Sequence, residues 1–240
     1  SSITTVMVVG LTNAGLMQLS QAIGVILGAN IGTTITGWIL AVNIGKYGLP
    51  LLGVAAFVYL FTRGDRLRFT AMALMGVGMI FFGLEVMTQA CAVIEELPQF
   101  EAWLQRFHPD SFLGLYQCMF VGCVLTMIVQ SSSAMLGITI ALAVTGAIPF
   151  ETAAALVLGE NIGTTITALL AAIGASTNAR RAAYFHVIFN MIGVVWISTI
   201  FFWYVKFIPE FIDVDVTNKV IVDGEESFPN TTAAIAATHS

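Results

Sequence analysis

The chain has 240 residues, of which 58% are apolar and only 10% are charged, and its mean hydropathy is +0.90. Soluble domains carry about 25% charged residues, so this composition excludes a cytosolic enzyme and indicates a polytopic membrane protein. The net charge of −5 offers no basic surface for nucleic acid. Three cysteines in or beside apolar segments are interpreted as packing residues rather than as a disulfide framework: Cys91, Cys118 and Cys123.

Apolar runs of two lengths alternate along the chain. A membrane-spanning helix needs about 20 apolar residues, whereas runs of about 10–14 more often form re-entrant segments. Two runs are too short to cross and should enter the membrane and turn back, Ile3–Leu11 and Ala134–Val144. The predicted spans are Ala22–Val42, a shorter Gly48–Thr62, Leu67–Ala90, Phe112–Gln130, Thr152–Ile173 and Ala182–Ile208.

Basic residues between the spans predict the orientation. They form two clusters, Arg63, Arg66 and Arg68 in one and Arg180 and Arg181 in the other. The positive-inside rule places both clusters in the cytoplasm. The acidic stretches Val93–Ser111 and Pro209–Thr231 then lie outside. We therefore predict a first transmembrane repeat over residues 1–90, an extracytoplasmic connector over 91–111, and a second repeat over 112–240 with an outer loop at 209–231.

One nine-residue segment occurs twice. Residues 28–36 read GANIGTTIT and residues 159–167 read GENIGTTIT, identical at eight of nine positions at an offset of 131 residues. The same offset pairs Ser1 and Ser2 with Ser132 and Ser133, and Gly15 with Gly146. This agreement at one offset indicates an internal duplication. Because the second copy opens with Gln130-Ser131, we expect the first to open with Gln-Ser just before Ser1, and we expect both repeats to be incomplete here.

The arginine clusters indicate how the two copies are related. Arg63 follows the helix after the first motif, whereas Arg180 precedes the matching helix of the second copy. Both can be cytoplasmic only if the copies cross the membrane in opposite directions. The predicted fold is therefore an all-α polytopic membrane protein with two inverted-topology repeats, each with a re-entrant hairpin and broken helices. In such proteins, paired glycine-interrupted segments point to a binding site near the midplane.

The duplicated motif offers hydroxyls, amides and glycines but no basic residue. Helix ends inside a membrane present free N–H groups to a small anion, while carbonyls and hydroxyls suit a hard cation such as Na⁺. An anion there would depend on neutral donors and co-bound cations. The alternative is that these small residues only let helices pack closely. The two copies, each preceded by a short apolar run, favour the binding interpretation.

Ionisable residues in or near the spans are functional candidates, because a charge at a helix centre costs about 2.5–3.5 kcal/mol on insertion scales. Glu160 stands in the second motif where the first has Ala29, and it either assists a cation or packs while protonated. Glu85 is interpreted as structural and Glu151 as a helix cap. His186 is either a hydrogen-bonded buried residue or a proton carrier.

The duplicated unit resembles a known family. It consists of Gln130-Ser131-Ser132-Ser133 followed by the Gly-x-Asn-Ile-Gly-Thr-Thr segment. This combination is similar to the type II sodium/phosphate cotransporter family, in particular its bacterial members. The resemblance covers about residues 1–200. It implies that Gln-Ser-Ser hairpins meet near the membrane centre and that Na⁺ movement drives phosphate transport. Two departures stand out: Glu160 replaces a small residue, and the first Gln-Ser is not in the sequence.

The resemblance also implies two sets of site residues. The residues expected to bind phosphate are Ser1, Ser2, Asn30, Thr33, Ser131, Ser132, Ser133, Asn161 and Thr164. The residues expected to bind Na⁺ are Thr34, Gln130, Ser132, Glu160 and Thr165. No cofactor or resident metal is expected, and the partners are the bilayer, Na⁺, inorganic phosphate and a possible second copy of the chain. The expected location is the bacterial inner membrane.

Three alternatives remain open at the level of the sequence. The protein could carry another small anion, such as a carboxylate. It could exchange ions for protons through Glu160 and His186. It could also be a membrane scaffold whose repeats only pack together. An intramembrane hydrolase that pairs Ser133 with His186 is not supported, because no carboxylate has the spacing needed to orient the histidine.

Overall fold

The structure is a computed structural model that describes residues 2–41, 47–95, 108–218, 220–222 and 225–239. It is built almost entirely of helices, as predicted, with one small β-hairpin. In chain order the elements are α1 (Ser2–Asn13), α2 (Leu19–Ala41), α3 (Gly48–Phe61), α4 (Asp65–Glu95), α5 (Phe112–Val129), α6 (Ser132–Val144), α7 (Phe150–Gly163), α8 (Ile166–Ala171), α9 (Thr177–Thr199), α10 (Phe201–Phe211), β1 (Val220–Val222), β2 (Glu225–Ser227) and α11 (Thr231–His239).

Among the described residues, five segments are long and apolar enough to cross a membrane, and each overlaps a predicted span. The predicted span Ala182–Ile208 nevertheless starts earlier and is divided into α9 and α10. The hydroxyls of Ser198 and Thr199 donate to backbone carbonyls three residues back, at 2.9 and 2.6 Å. Such side-chain bonds compete with the helical ladder and often bend or end a helix. The break at Ile200 therefore has a local cause.

The two short apolar runs form α1 and α6, and each is followed by a tight turn and a longer helix. The turn after α1 covers residues 14–18 and the turn after α6 covers residues 145–149, which the 131-residue offset superimposes position for position. Gly15 (φ 73°) and Gly146 (φ 86°) hold the same left-handed place in the two turns, a conformation that glycine adopts without a Cβ clash. The duplication is thus visible in the backbone. The opposite orientation of the repeats remains a prediction.

Helices from the two halves pack on each other rather than forming separate bodies. α1 packs on α2, but also on α8 and α9 of the second half, and α6 packs on α7 and also on α2. Two small apolar clusters mark the first of these contacts. One contains Val9 with Ala168 and Ala179, and the other contains Val8 with Ile26. The largest core cluster lies among α5, α6, α7, α10 and α11.

The predicted outer loop 209–231 contains regular secondary structure. α10 continues through Pro209 to Phe211, and β1 and β2 then pair antiparallel, with Val220 opposite Ser227. The segment returns to the turn after α6, where the Phe228 N–H donates to the Val144 carbonyl at 2.8 Å. Most of the predicted connector 91–111 lies outside the described residues.

Candidate functional site

The start of α1 meets the second copy of the motif. Ser2 is the first residue of α1, and Thr164 ends α7. Their hydroxyl oxygens lie 3.0 Å apart, although the two residues are 162 positions apart in the sequence. The start of α1 in one half therefore touches the Gly-Thr-Thr segment of the other. Ser1 lies outside the described residues.

The contact continues along the length of α1. At its far end, the Asn13 side-chain oxygen accepts a hydrogen bond from the Ser176 N–H at 2.7 Å. Between the two ends, Val9 packs against Ala168 and Ala172. α1 therefore runs parallel to the segment from Thr164 to Ser176. The N-terminal end of α1 therefore lies beside the break between α7 and α8.

The second motif copy interrupts its helix at Thr164 and Thr165. The carbonyl of Thr164 accepts a hydrogen bond from the Thr167 hydroxyl at 3.0 Å, and the Thr165 hydroxyl donates to the Ile162 carbonyl at 2.7 Å. These side chains satisfy carbonyls near the break. Thr164 and Thr165 are both buried. The broken helix predicted for this half is therefore present.

The first motif copy has the same residues but lies within the continuous helix α2. The hydroxyl of Thr33 donates to the Ala29 carbonyl at 2.9 Å, and that of Thr34 donates to the Ile31 carbonyl at 2.7 Å. In this copy the threonine hydroxyls bond to backbone carbonyls while the backbone hydrogen bonds of the helix continue without interruption. The two copies also differ in their surroundings, because the second is enclosed by other helices whereas, within the described residues, no atom lies within 4 Å of a Cβ built on Gly28 or Gly32.

The second hairpin tip is formed by residues 130–133. Gln130 ends α5 in the left-handed region at φ 57° and is exposed. The Ser131 side chain caps α6 by accepting from the Ala134 N–H at 3.3 Å, whereas Ser132 is buried and Ser133 is half-buried. One turn further along α6, Leu136 Cδ2 lies 3.4 Å from the place that a Cβ of Gly37 would take. α6 thus contacts α2 beyond the first motif.

Glu160 of α7 is fully buried between α6 and α7. These two helices, joined by the turn at residues 145–149, form the second hairpin. Its Oε1 accepts a hydrogen bond from the Thr139 hydroxyl at 2.7 Å, and among the described residues its Oε2 has no partner. Glu160 lies one helical turn before Thr164. The sequence analysis did not identify Thr139. The sequence nevertheless contains a signal for Thr139. The 131-residue offset pairs Thr139 with Val8 and Glu160 with Ala29, so both positions are apolar in the first repeat and polar in the second.

Several buried polar atoms have no hydrogen-bond partner within the described ranges. They are Asn30 Nδ2, Glu160 Oε2 and both ring nitrogens of His186 and of His239. Leaving a buried donor or acceptor unpaired costs about 1–3 kcal/mol, so such atoms are expected where a ligand or water binds. The burial expected of His186 is confirmed, but hydrogen bonds to its ring are not seen. Asn161 is half-buried.

The chain is similar to known proteins over most of its length. The family described as Na⁺/Pi-cotransporter matches residues 1–89 and 97–206. The "Uncharacterized protein YqeW" of Bacillus subtilis is 32% identical over 194 residues, which cover 81% of this chain and 62% of that protein. No solved structure matches the chain significantly.

Two further relatives carry functional names. The "Putative inorganic phosphate export protein YjbB" of Escherichia coli is 27% identical over 80% of this chain and 35% of its own length. The human "Sodium-dependent phosphate transport protein 2B" is 42% identical over 91 residues, which are 36% of this chain and 13% of that protein. The chain therefore spans less than two thirds of each of these relatives. By the family match over both of its halves, this multi-pass membrane protein belongs to the Na⁺/Pi-cotransporter family.

Proposed function

We propose that the chain forms the membrane part of a transporter that moves inorganic phosphate across the plasma membrane, coupled to Na⁺, by alternating access. The contact between Ser2 and Thr164 carries the proposal, because it brings the hairpin of one half onto the motif of the other. Family membership and the names of YjbB and transport protein 2B support phosphate as the substrate. Transporters of this kind bind their substrates at the interface between repeats.

Phosphate would bind where neutral donors converge. The start of α1 lies beside the break in the second motif, and helix N-termini favour anions. The amide of Asn30 in the first motif has a buried N–H₂ group without a partner among the described residues. We assign phosphate to these donors together with Ser131, Ser132 and Ser133. Asn161 and Thr164 would complete the site.

Na⁺ would bind where oxygen lone pairs remain free. The hydroxyls of Thr33, Thr34 and Thr165 already donate their hydrogens to backbone carbonyls. They can therefore still act as acceptors or cation ligands but not as donors to an anion. Oxygen ligands are those that hard cations prefer. We therefore retain Thr34, Thr165, Gln130, Ser132 and Glu160 for Na⁺, and on this argument Thr33 suits Na⁺ better than phosphate.

The coupling between Na⁺ and phosphate follows from their opposite charges. A Na⁺ ion beside phosphate neutralises it in a site without Lys or Arg, so neither ion binds well alone. Each charge that crosses the membrane gains about 2.3 kcal/mol per 100 mV, and the Na⁺ gradient adds to this. The relatives carry names of both exporters and Na⁺-dependent transporters, so the experiment below measures both directions.

The test is flux of labelled phosphate in proteoliposomes that contain the full-length gene product. We expect a Na⁺ gradient to drive flux and Thr164→Val to reduce it at least tenfold. Thr70→Val is the matched control, because Thr70 of α4 is exposed and its hydroxyl donates to the Arg66 carbonyl of its own helix. Flux that ignores the gradient would disprove the coupling. Equal flux in the two variants would disprove the site.

A second candidate is exchange of an ion for protons through Glu160 and His186. It is favoured by one observation, since both side chains are buried and have polar atoms without partners in the described part of the chain. This candidate predicts transport that follows a pH gradient and is lost in His186→Gln. Phosphate flux that needs Na⁺ and survives that substitution would eliminate it.

A further inference from the structure

The ring of His186 in α9 is buried without any use in the packing that the structure describes. His186 has no exposed surface, and neither of its ring nitrogens has a hydrogen-bond partner among the described residues. The Asn190 side chain donates to the backbone carbonyl of His186 at 2.9 Å, so this bond does not involve the ring. A neutral imidazole always carries one N–H donor and one acceptor nitrogen. A buried ring with both nitrogens unpaired is therefore expected where a ligand or water binds.

The packing of α9 on α1 gives the level of His186 along α1. The C-terminal end of α1 lies beside the start of α9, so the two helices run antiparallel. Val9 shares an apolar cluster with Ala179 and Ala183, and His186 lies on the same face of α9, three residues after Ala183. It is about five residues beyond the middle of this contact, or ~7.5 Å at 1.5 Å per residue. The same distance along α1 leads from Val9 to within one turn of Ser2.

The packing of α2 on α1 brings Asn30 to the same level. These two helices are joined by a tight turn and also run antiparallel, and Val8 shares an apolar cluster with Ala22 and Ile26. Asn30 lies about six residues beyond the middle of that contact, and Ser2 lies about six residues before Val8, which is ~9 Å in both cases. The buried Asn30 amide, whose Nδ2 has no partner within the described ranges, is therefore level with Ser2.

Two unpaired polar side chains from different helices thus meet the level at which Ser2 contacts Thr164. The duplicated motif has no basic residue, so an anion at this level depends on neutral donors. We propose that His186 donates a ring N–H to the transported phosphate and is a phosphate-binding residue outside the duplicated motif. This inference rests on the proposed function. A hydrogen bond to a charged acceptor is roughly twice as strong as a neutral one, so the loss of this donor should lower the affinity for phosphate.

The first test compares phosphate flux in proteoliposomes of the full-length gene product at saturating Na⁺. His186→Leu and His186→Met remove both ring nitrogens, whereas His186→Gln keeps an N–H donor. We expect the phosphate concentration for half-maximal flux to rise about tenfold or more in the two apolar variants. In His186→Gln it should stay within about threefold of the wild type. His108→Leu is the matched control, because His108 is exposed in the predicted connector, and it should leave this concentration unchanged.

The second test is thermal unfolding at fixed Na⁺, with and without inorganic phosphate. A ligand that binds the folded state raises Tm, so phosphate should raise the Tm of the wild type. Without phosphate, His186→Leu should have a Tm at least equal to that of the wild type, because it removes buried polar atoms that lack partners. It should also lose most of the rise that phosphate causes. A lower Tm without phosphate together with an unchanged rise would show that His186 only packs and would refute the proposal.

The other results that would overturn the inference are distinguishable from one another. A wild type with neither Na⁺-driven phosphate flux nor a rise in Tm with phosphate would refute the proposed function and this inference together. A wild type that transports phosphate, with an unchanged half-maximal concentration in the apolar variants, would refute the assignment of His186 alone. Equal losses in His186→Gln and His186→Leu would show that the titration or the shape of the ring matters rather than its N–H, and would also refute the proposal.

Discussion

The Thr139 hydroxyl donates to the Glu160 carboxyl at 2.7 Å inside the second hairpin, and the first hairpin has Val8 and Ala29 at the two corresponding positions. The polar pair is thus an asymmetric feature of a duplicated fold. Within the described residues, this hydrogen bond is the only partner of a fully buried carboxyl group. Because Thr139 is the one partner of this carboxyl group among the described residues, we make two predictions. One concerns the stability of the protein and the other concerns the dependence of transport on Na⁺.

Thr139→Val should destabilise the protein by about 1–3 kcal/mol, because it keeps the side-chain shape but leaves the buried carboxyl without a partner. Replacing both partners by apolar groups of similar shape is nearly neutral by the same principle. We therefore expect the double variant Thr139→Val/Glu160→Met to recover most of the lost stability. Thermal unfolding of the single and double variants provides the measurement. Additive losses would show that the two side chains are independent.

Glu160→Gln should weaken the dependence of transport on Na⁺ if the carboxylate is a Na⁺ ligand. The substitution keeps the size and the acceptor oxygen for Thr139 but removes the negative charge. We expect the Na⁺ concentration for half-maximal phosphate flux to rise at least tenfold, while flux at saturating Na⁺ changes less. Glu85→Gln is the control, because the half-buried Glu85 accepts a hydrogen bond from Gln89 of its own helix, at 3.2 Å. An unchanged Na⁺ dependence in Glu160→Gln would remove this residue from the Na⁺ site.

Hydropathy and the repeat predicted most of the fold from the sequence. The five long spans and the two short helices were found because apolar length is a strong signal, and the two hairpin turns agree at the offset read from the sequence. The break at Ile200 was missed, because hydroxyl bonding by Ser198 and Thr199 leaves no trace in hydropathy. The small β-hairpin was missed as well, since its strands have only three residues each.

The site was predicted less completely than the fold. The motifs predict that Ser2 and Thr164 belong to one site, but their 3.0 Å contact depends on how the halves pack, which no local pattern encodes. Thr139 escaped attention because one hydroxyl in an apolar helix is not informative alone. Only comparison of the two copies, with Val8 and Ala29 replaced together, marks it as the partner of Glu160.

The two hairpin turns allow a matched test of the outer segment. A Cβ on Gly146 would lie 2.7 Å from the Phe228 ring, whereas a Cβ on Gly15 would have no atom of the described residues within 4 Å. Alanine at either site meets the left-handed backbone penalty of about 1–2 kcal/mol, but only Gly146→Ala also displaces Phe228. We expect Gly146→Ala to lower Tm more than Gly15→Ala does. Combining Phe228→Ala with Gly146→Ala should relieve the clash without adding the two single losses. Strict additivity would show that the outer segment does not rest on this turn.

The contact between Ser2 and Thr164 is tested by a double-mutant cycle on transport. Ser2→Ala and Thr164→Val each remove one of the two hydroxyl groups and keep the side chain close to its original size. Residues in contact show coupling of about 0.5–3 kcal/mol, so the double variant should lose clearly less phosphate flux than the two single losses multiplied together. Ser2→Ala combined with Thr70→Val is the control, because Thr70 is an exposed residue of α4 that bonds its own helix, and here the losses should multiply. If the Ser2–Thr164 losses also multiply, the two hairpin regions act separately and the shared site proposed for them is wrong.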